Sequence, residues 1–186
     1  MNTKANNRVC PVEKAGSLDN KIRKLIQNPN KILAPYIRNN MTVLDFGCGP
    51  GFFTIEIAKM LGQSGKVIAT DIQDGMLAKI RQKIKGASLE QNIELLKCSD
   101  RIDITERIDF IIAFYVIHEV PNQDNLFEEL KSILKTNGKI LIVEPKFHVS
   151  KKSFETMTKR LENINFEIID KPKIFFSRSV LLKNTQ

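Results

Sequence analysis

From residue 42 onward, short β-branched apolar runs alternate with segments in which apolar residues recur every three or four positions. This alternation predicts an α/β domain with a mainly parallel sheet that is covered by helices. We predict strands at 42–47, 66–72, 93–98, 109–116, 139–143, 166–170 and 179–183, and helices at 20–26, 29–37, 52–61, 74–84, 125–135 and 153–164. The run 109–116 is nearly continuous apolar sequence, so we expect this strand in the middle of the sheet, buried on both faces.

Two predicted helix ends depend on individual residues. Asp74 stands at the start of the helix 74–84, and we expect its carboxylate to cap the helix N-terminus. Asn137-Gly138 follows the helix 125–135, and we expect this pair to form the turn that ends the helix. The second expectation separates this helix from the strand that follows it.

The composition is that of one folded domain. The 186 residues are 42% hydrophobic and 27% charged, which allows one sizeable core and is too apolar for a disordered chain. We therefore expect a single domain over 1–186, in which 1–41 is a helical segment and candidate lid for the core at 42–186.

The apolar runs and the cysteines of the chain indicate in which cellular compartment the protein is located. The longest uninterrupted apolar run, 110–117, has eight residues, whereas a membrane-spanning helix needs about 20. The first twenty residues lack the apolar stretch of a secretory signal, and the three cysteines (Cys10, Cys48 and Cys98) are odd in number and widely spaced. We expect a cytoplasmic protein with reduced thiols and no membrane partner.

The net charge of +8 is concentrated at the two ends of the chain. The first 41 residues hold eight Lys/Arg against two Asp/Glu, and the last 41 hold nine against four. Either an anionic partner such as a nucleic acid contacts these ends, or their lysines cover solvated faces. We favour the solvated faces, because no stretch has five consecutive basic residues or interleaves them with stacking aromatics.

A glycine-rich loop follows the first strand of the core, in the sequence VLDFGCGPG at 43–51. Gly47 and Gly49 permit a tight turn and a close approach of ligand to backbone, and the helix that follows offers free N–H groups to a carboxylate or a phosphate. The spacing G-x-G-x-G differs from the dinucleotide loop and from the nucleotide-phosphate loop, which argues against NAD and ATP.

Two carboxylates lie at the ends of the next two strands. Asp71 is placed to accept hydrogen bonds from both hydroxyls of a ribose, with Ile72 beside it to cover one face of a purine. Asp100 follows the third strand, where a carboxylate can accept from an adenine amino group. Each aspartate alone is more often a surface residue of a turn. Together with the glycine loop, they occupy the carboxyl ends of three consecutive strands, where open α/β sheets bind ligands.

Five segments in order resemble the motifs of class I S-adenosylmethionine-dependent methyltransferases of the small-molecule type. They are VLDFGCGPG (43–51), ATDI (69–72), CSD (98–100), FIIAFYVIHEVPN (110–122) and LKTNGKILIVEP (134–145). The resemblance implies a Rossmann-like seven-stranded sheet in the order 3-2-1-4-5-7-6, with strand 7 antiparallel and helices on both faces. It also implies S-adenosylmethionine as methyl donor and S-adenosylhomocysteine as product.

The resemblance further implies which residues contact the cofactor. The glycine loop would line the methionine end, Asp71 would hold the ribose, and Ser99 with Asp100 would contact the adenine. Asp45 would anchor the loop or the cofactor's amino group, which the backbone at Phe114 would also face. The implied cofactor-binding residues are Asp45, Gly47, Cys48, Gly49, Gly51, Asp71, Ile72, Ser99, Asp100 and Phe114.

The segment after the fourth strand holds the candidates for acceptor chemistry. Methyl transfer is an in-line displacement at a sulfonium, so a base is required only where the acceptor carries a proton. His118 is the candidate base, and its alternative role is capping or packing in a loop. Tyr115 is a candidate to orient the acceptor or to close the cofactor pocket. After the fifth strand, Glu144, Lys146 and His148 are further candidates to face the acceptor, or are surface residues.

Three functions stay open on the sequence. The leading one is methyl transfer to a small molecule, because Ala113-Phe114-Tyr115-Val116 departs from the Asn/Asp-Pro-Pro-Tyr/Phe motif of nucleic-acid amino-methylating relatives. An RNA methyltransferase is the alternative that the basic ends favour, and a non-catalytic binding module is the third. No Asp-Asp/Asn pair of a catechol-type magnesium site is present, so we expect no metal. Cys10 is a candidate ligand for a soft acceptor, although an incidental cysteine is the favoured interpretation.

Overall fold

A computed structural model describes residues 21–98 and 101–185 of the chain. The helices are α1 (Lys21–Ile26), α2 (Pro29–Leu33), α3 (Thr54–Leu61), α4 (Asp74–Ile84), α5 (Gln123–Ile133) and α6 (Lys151–Asn163). The strands are β1 (Thr42–Phe46), β2 (Lys66–Asp71), β3 (Ile93–Lys97), β4 (Ile108–Phe114), β5 (Leu134–Pro145), β6 (Phe166–Asp170) and β7 (Ser177–Asn184). Short 3-10 helices occur at Glu90–Asn92 and Ile117–Glu119. Each predicted strand and helix is therefore present, with shifts at its ends.

The strands of the described residues form one seven-stranded sheet in the order β3-β2-β1-β4-β5-β7-β6. The pairs among β1 to β5 are parallel, and β7 is antiparallel to both of its neighbours, β5 and β6. This confirms the fold class and the strand order that the motifs implied. β4 lies in the middle of the sheet, as the apolar run 109–116 predicted.

Successive residues of the central strands enter two different cores. In β4, Ile111 packs in the core that α5 and α6 cover, and Ile112 packs in the core that α2, α3 and α4 cover. Both side chains have no solvent-exposed surface. This two-sided burial explains why β4 is apolar at nearly every position and not only at every second one.

The expected N-cap at Asp74 is wrong by one residue. The N-cap of α4 is Gln73, which has extended backbone, and Asp74 is already helical. Asp71 accepts a hydrogen bond from the Gln73 N–H, so the chain turns into the helix before Asp74 is reached. Asp74 instead pairs with Lys97 at the end of β3, and its charge in the first turn suits the helix dipole.

The turn expected at Asn137-Gly138 is also wrong as the end of a helix. The helix ends at Ile133, and β5 begins with the next residue, Leu134. Asn137 has a φ of 64° inside the irregular first part of β5, where the register with β4 shifts. The pair therefore lies in an irregular part of a strand, where asparagine and glycine are suitable because both tolerate left-handed backbone.

The amino-terminal helices begin the described part of the chain. Asn28 caps α2, because its side chain accepts from the Lys31 N–H at 3.2 Å, and Pro29 occupies the first helical position. Residues 1–20, with Cys10 and half of the predicted lid, lie outside the described residues, as do Ser99 and Asp100. No helix within 21–98 or 101–185 is long and apolar enough to cross a membrane.

Candidate active site

A cavity of about 810 Å³ opens at the carboxyl ends of β1, β2 and β4. It brings together most of the described residues that the sequence singled out. Those that line it are Asp45, Gly47, Cys48, Gly49, Asp71, Ile72, Phe114, Tyr115, His118 and His148. Gly51, Glu144 and Lys146 do not line it, and Ser99 and Asp100 lie outside the described residues. One cavity thus joins the predicted cofactor loop to the predicted acceptor segment.

Gly47 and Gly49 of the loop both have left-handed backbone, but only Gly47 is closely packed. Gly47 has a φ of 70°, and a Cβ there would lie 2.3 Å from Cγ2 of Val116, so the loop packs tightly on the segment after β4. Gly49 has a φ of 53°, but a Cβ there would meet nothing within 4 Å. Gly49 therefore borders open space, on the side where a ligand would approach the backbone.

Asp71 fastens this loop to the end of β2. One carboxylate oxygen accepts from the Gly49 N–H at 2.9 Å, and the other accepts from the Gln73 N–H at 2.8 Å. Burial raises the pKa of Asp71, and the backbone N–H donors partly oppose this rise. Each oxygen has a second acceptor position, so the carboxylate can hold the loop and still accept from a ligand hydroxyl.

Asp45 is a buried carboxylate below the loop. The Thr54 hydroxyl, in the first turn of α3, donates to it at 2.6 Å. The pKa of Asp45 is raised to about 6: burial is the largest cause, the hydrogen bond from Thr54 opposes it, and the charge of Asp71 adds to it. The sequence analysis missed Thr54, although a threonine at a predicted helix start is a signal that could have found it.

His118 is held by Glu144, the buried last-but-one residue of β5. Nδ1 of His118 lies 2.5 Å from Oε2 of Glu144, and Oε1 of Glu144 accepts from the Ile117 N–H at 3.0 Å. Burial lowers the pKa of His118, but the hydrogen bond and the charge of Glu144 outweigh burial, so the pKa lies above the ordinary 6.5. Glu144 does not itself line the cavity, so it acts on a ligand there through the imidazole ring of His118.

Tyr115 directly follows β4 and has left-handed backbone, with a φ of 62°. Its hydroxyl accepts from Nε2 of Gln27 at 2.6 Å and lies 2.6 Å from Oγ of Ser177. Gln27 is buried, and its Nε2 also lies 3.3 Å from the carbonyl oxygen of Phe175. This network ties the amino-terminal segment to β4 and β7. Neither Gln27 nor Ser177 carried a sequence signal, because both are far from Tyr115 along the chain.

The far end of the cavity lies beyond β2 and β3. Ile72 is half exposed there, and Cys98 and Arg101 line the wall next to it. The Thr70 hydroxyl is buried at the cavity and has no hydrogen-bond partner within the described part of the chain. An unpartnered buried hydroxyl costs free energy unless a ligand or water satisfies it.

A sheet in this order, with a glycine loop after β1 and a carboxylate after β2, defines the fold of the S-adenosylmethionine-dependent class I methyltransferases. The family model described as a methyltransferase domain matches residues 37–177, and the chain belongs to this family. The match covers β1 to β6 and ends at the first residue of β7.

Two of the curated relatives are methyltransferases whose names refer to quinones. A demethylmenaquinone methyltransferase from Lactobacillus johnsonii is 35% identical over 104 residues, which are 54% of this chain and 42% of the relative. A ubiquinone/menaquinone biosynthesis C-methyltransferase from Cronobacter sakazakii is 27% identical over 135 residues, 72% of this chain and 52% of the relative. The chain spans about half the length of the curated relatives it matches.

Solved structures share the whole fold. A SAM-dependent methyltransferase from Aquifex aeolicus has a TM-score of 0.85 at 26% identity, with 95% of this chain and 100% of the other covered. A structure from Methanococcus maripaludis has a TM-score of 0.77 at 19% identity, covering 100% and 98% of the two chains, and this likeness concerns the fold alone.

Proposed function

We propose that the chain transfers a methyl group from S-adenosylmethionine to a small molecule that gives up a proton, and that His118 accepts this proton. One observation carries the proposal: a histidine oriented by a buried carboxylate lines the same cavity as the glycine loop and Asp71. The pair places a base next to the predicted cofactor site, which is the arrangement that such a transfer needs.

The described residues fit the cofactor. Open space borders Gly49, the oxygens of Asp71 have acceptor positions left for a ribose, and the Thr70 hydroxyl lacks a partner within the described residues. Asp45 suits an ammonium group, because its carboxylate is buried and already oriented by Thr54. The cofactor, when bound, supplies a methyl group on a positively charged sulfur.

The orientation of His118 decides which nitrogen reacts. Nδ1 is engaged with Glu144, so Nε2 is the nitrogen that remains for a proton of the acceptor. The negative charge of Glu144 also stabilises the imidazolium that forms when His118 takes the proton. Glu144 is thus a positioning residue, and His118 is the group that meets the acceptor.

The acceptor class follows from the lining of the cavity and from the relatives. Phe114, Tyr115 and Phe147 line the cavity, as do Val120 and Pro121, which suits a flat apolar ring. The quinone-biosynthesis relatives point to a quinol, whose ring carbon gains the methyl group and loses a proton. We propose an aromatic quinol-like acceptor.

Labelled methyl transfer tests this function. The protein is incubated with S-adenosylmethionine carrying a labelled methyl group and with short-chain naphthoquinol or benzoquinol, beside a total-RNA reaction. We expect transfer to a quinol, a fall of about 100-fold in His118→Asn, and binding of S-adenosylhomocysteine by calorimetry in both proteins.

Each other outcome contradicts a stated part of the proposal. Transfer to RNA alone, with an affinity that falls steeply with salt, would support the RNA methyltransferase that the basic ends favour. Undiminished methyl transfer by His118→Asn would show that His118 is not the base. If the protein does not bind S-adenosylhomocysteine, the proposed cofactor site is wrong.

A further inference from the structure

Exposed apolar side chains are grouped on one side of the molecule. Of the seven large apolar residues that are exposed in the described part of the chain, five belong to α1, to the loop after β5 and to the loop before β7. Their exposed fractions are 85% for Leu25, 47% for Ile26, 72% for Phe147, 52% for Phe175 and 62% for Phe176. We call these five residues the exposed apolar face. A grouped apolar surface of this kind marks an interaction site.

Contacts join the members of this face into one surface. Both members on α1 line the same groove as Phe175, and the groove has a volume of about 420 Å³. The ring centroids of Phe175 and Phe176 are 4.5 Å apart. The carbonyl oxygen of Phe176 accepts at 3.1 Å from the N–H of Lys146, the residue before Phe147. Phe147 also lines the candidate active site, so the exposed apolar face extends from the groove to the edge of that cavity.

The chain around this face is basic. The segments 21–38, 146–148 and 171–178 contain Lys or Arg but no Asp or Glu. Lys31 and Lys173 line the groove, and Lys146 precedes Phe147. These three lysines are exposed, and none pairs with a carboxylate of the described residues. The positive charge that the sequence concentrates at its two ends therefore meets on this side of the molecule.

Exposed apolar and basic side chains together favour one kind of partner. Lysines on a solvated face leave the apolar neighbours unexplained. A nucleic acid binds lysines through its phosphates and stacks its bases on phenylalanine rings, but Leu25 and Ile26 offer a base no ring. A bilayer surface with anionic lipids accounts for both sets of residues. Its headgroup phosphates attract the lysines, and its acyl boundary takes up the apolar side chains.

Binding to a bilayer surface needs no membrane-spanning helix. The expectation that the protein has no membrane partner came from the absence of an apolar run of about 20 residues. A protein that lies on the headgroup region inserts its apolar side chains only about 5–10 Å deep. Exposed residues on a short helix and on two loops are sufficient for that depth.

We propose that the exposed apolar face binds the surface of a bilayer that contains anionic lipids, with Lys31, Lys146 and Lys173 against the headgroup phosphates. The proposal does not rest on the proposed function, because it concerns a different surface and predicts binding without methyl transfer. In the bound state, the edge of the candidate active site at Phe147 lies next to the lipid.

Co-sedimentation with vesicles measures the contribution of the lysines. The vesicles contain phosphatidylcholine alone or equal parts of phosphatidylcholine and phosphatidylglycerol. We expect binding to the anionic vesicles only, with an affinity that falls as salt is raised, because ions screen the lysines. Lys31→Glu should weaken binding about 10-fold or more. The control Lys159→Glu makes the same charge change on α6, which covers the opposite side of the sheet, and should weaken binding less than about twofold.

Tryptophan fluorescence measures the contribution of the apolar residues. The chain has no tryptophan, so a single introduced one reports on its own position. With anionic vesicles, the emission of Leu25→Trp should shift to the blue and be quenched by lipids with brominated acyl chains, whereas Lys159→Trp should show neither effect. Leu25→Ser should weaken vesicle binding about 10-fold. Thermal unfolding checks that each variant is folded.

Four results would overturn the proposal. Absence of binding to anionic vesicles at low salt would show that the face does not bind lipid. Equal losses in Lys31→Glu and Lys159→Glu would indicate an effect of total charge. Unshifted emission of vesicle-bound Leu25→Trp would place another surface against the lipid. Binding of RNA or formation of a dimer, lost in Leu25→Ser and seen without vesicle binding, would assign the face to that partner. The labelled methyl-transfer assay is a separate measurement, so the proposed function stands or fails independently.

Discussion

In the half of the cavity formed by β1 and β2, the hydrogen bonds of the two aspartates join residues that are at most 22 positions apart. Asp45 accepts from Thr54, nine positions away, and Asp71 accepts from Gln73 and Gly49, two and 22 positions away. In the half formed by β4 and β5, His118 and Glu144 are 26 positions apart, and Tyr115 contacts Ser177 and Gln27 across 62 and 88 positions. We call these the cofactor half and the acceptor half.

The difference has a functional meaning. The cofactor half is assembled by two strands that are consecutive along the chain and by the loops and helix starts that follow them, so its geometry is fixed within one continuous stretch of sequence. The acceptor half depends on the placement of several distant elements. Substitutions in the first half should therefore alter cofactor binding, and substitutions in the second should alter turnover with little change in cofactor affinity.

The largest effect is expected from Asp71→Ala. It removes the acceptor of two backbone N–H groups and the proposed ribose contact, so binding of S-adenosylhomocysteine should weaken about 100-fold. Asp71→Asn keeps the size of the side chain, so its affinity for S-adenosylhomocysteine should fall less than that of Asp71→Ala. Calorimetry measures both affinities, and circular dichroism serves as the folding control. Normal affinity in Asp71→Ala would contradict the division into halves.

A smaller effect is expected from Glu144→Gln. Without the carboxylate, His118 loses its orientation, and kcat should fall about 10-fold or more at an unchanged affinity for S-adenosylhomocysteine. His118 must be neutral to act as a base, so the unchanged enzyme should lose activity as the pH falls through the raised pKa of His118. The variant removes the charge that raises this pKa, so its acid limb should move to lower pH.

A matched control separates charge from hydrogen bonding at this position. Glu119 also raises the pKa of His118, but through its charge alone. Glu119→Gln should therefore move the acid limb of the pH profile less than Glu144→Gln does. An acid limb that stays in place in Glu144→Gln would show that His118 is not the titrating base.

The smallest effect is expected from Tyr115→Phe. The substitution removes a hydroxyl that contacts Gln27 and Ser177, which should lower the free energy of unfolding by about 1–2 kcal/mol and change kcat by less than about 10-fold. Denaturant unfolding and steady-state kinetics measure these quantities. A far larger fall in kcat, with unchanged stability, would show instead that Tyr115 acts chemically on the acceptor.

The same division explains how far the sequence could be interpreted. The strands were predictable from the spacing of apolar residues, and their order followed from the family resemblance. The meeting of the glycine loop with Asp71 was predictable too, because they stand at the carboxyl ends of consecutive strands, which lie at one sheet edge. The pairing of His118 with Glu144 was not predictable, since Glu144 lies on a different strand, 26 positions away. Gln27 could not be predicted as a partner of Tyr115, because its position depends on how the amino-terminal segment packs on the finished sheet.

The start of α4 was misplaced by one residue because the side chain of Asp71 binds the backbone just before the helix. Asp71 takes the Gln73 N–H, so the cap of α4 moves to Gln73. The roles of Ser99, Asp100 and Cys10 stay predictions, as do the single-domain interpretation and the full extent of the lid.

The position of β7 has a consequence for the synthesis of the chain. β6 reaches the sheet only through β7, which lies between it and β5. A nascent chain that has grown as far as residue 170 therefore has a complete β6 with no partner, and an open hydrogen-bonding edge on β5. The gap between β5 and β6 is filled only after Ser177–Asn184 has been made and has left the ribosome, so until then this edge of the sheet stays open to pairing with other chains.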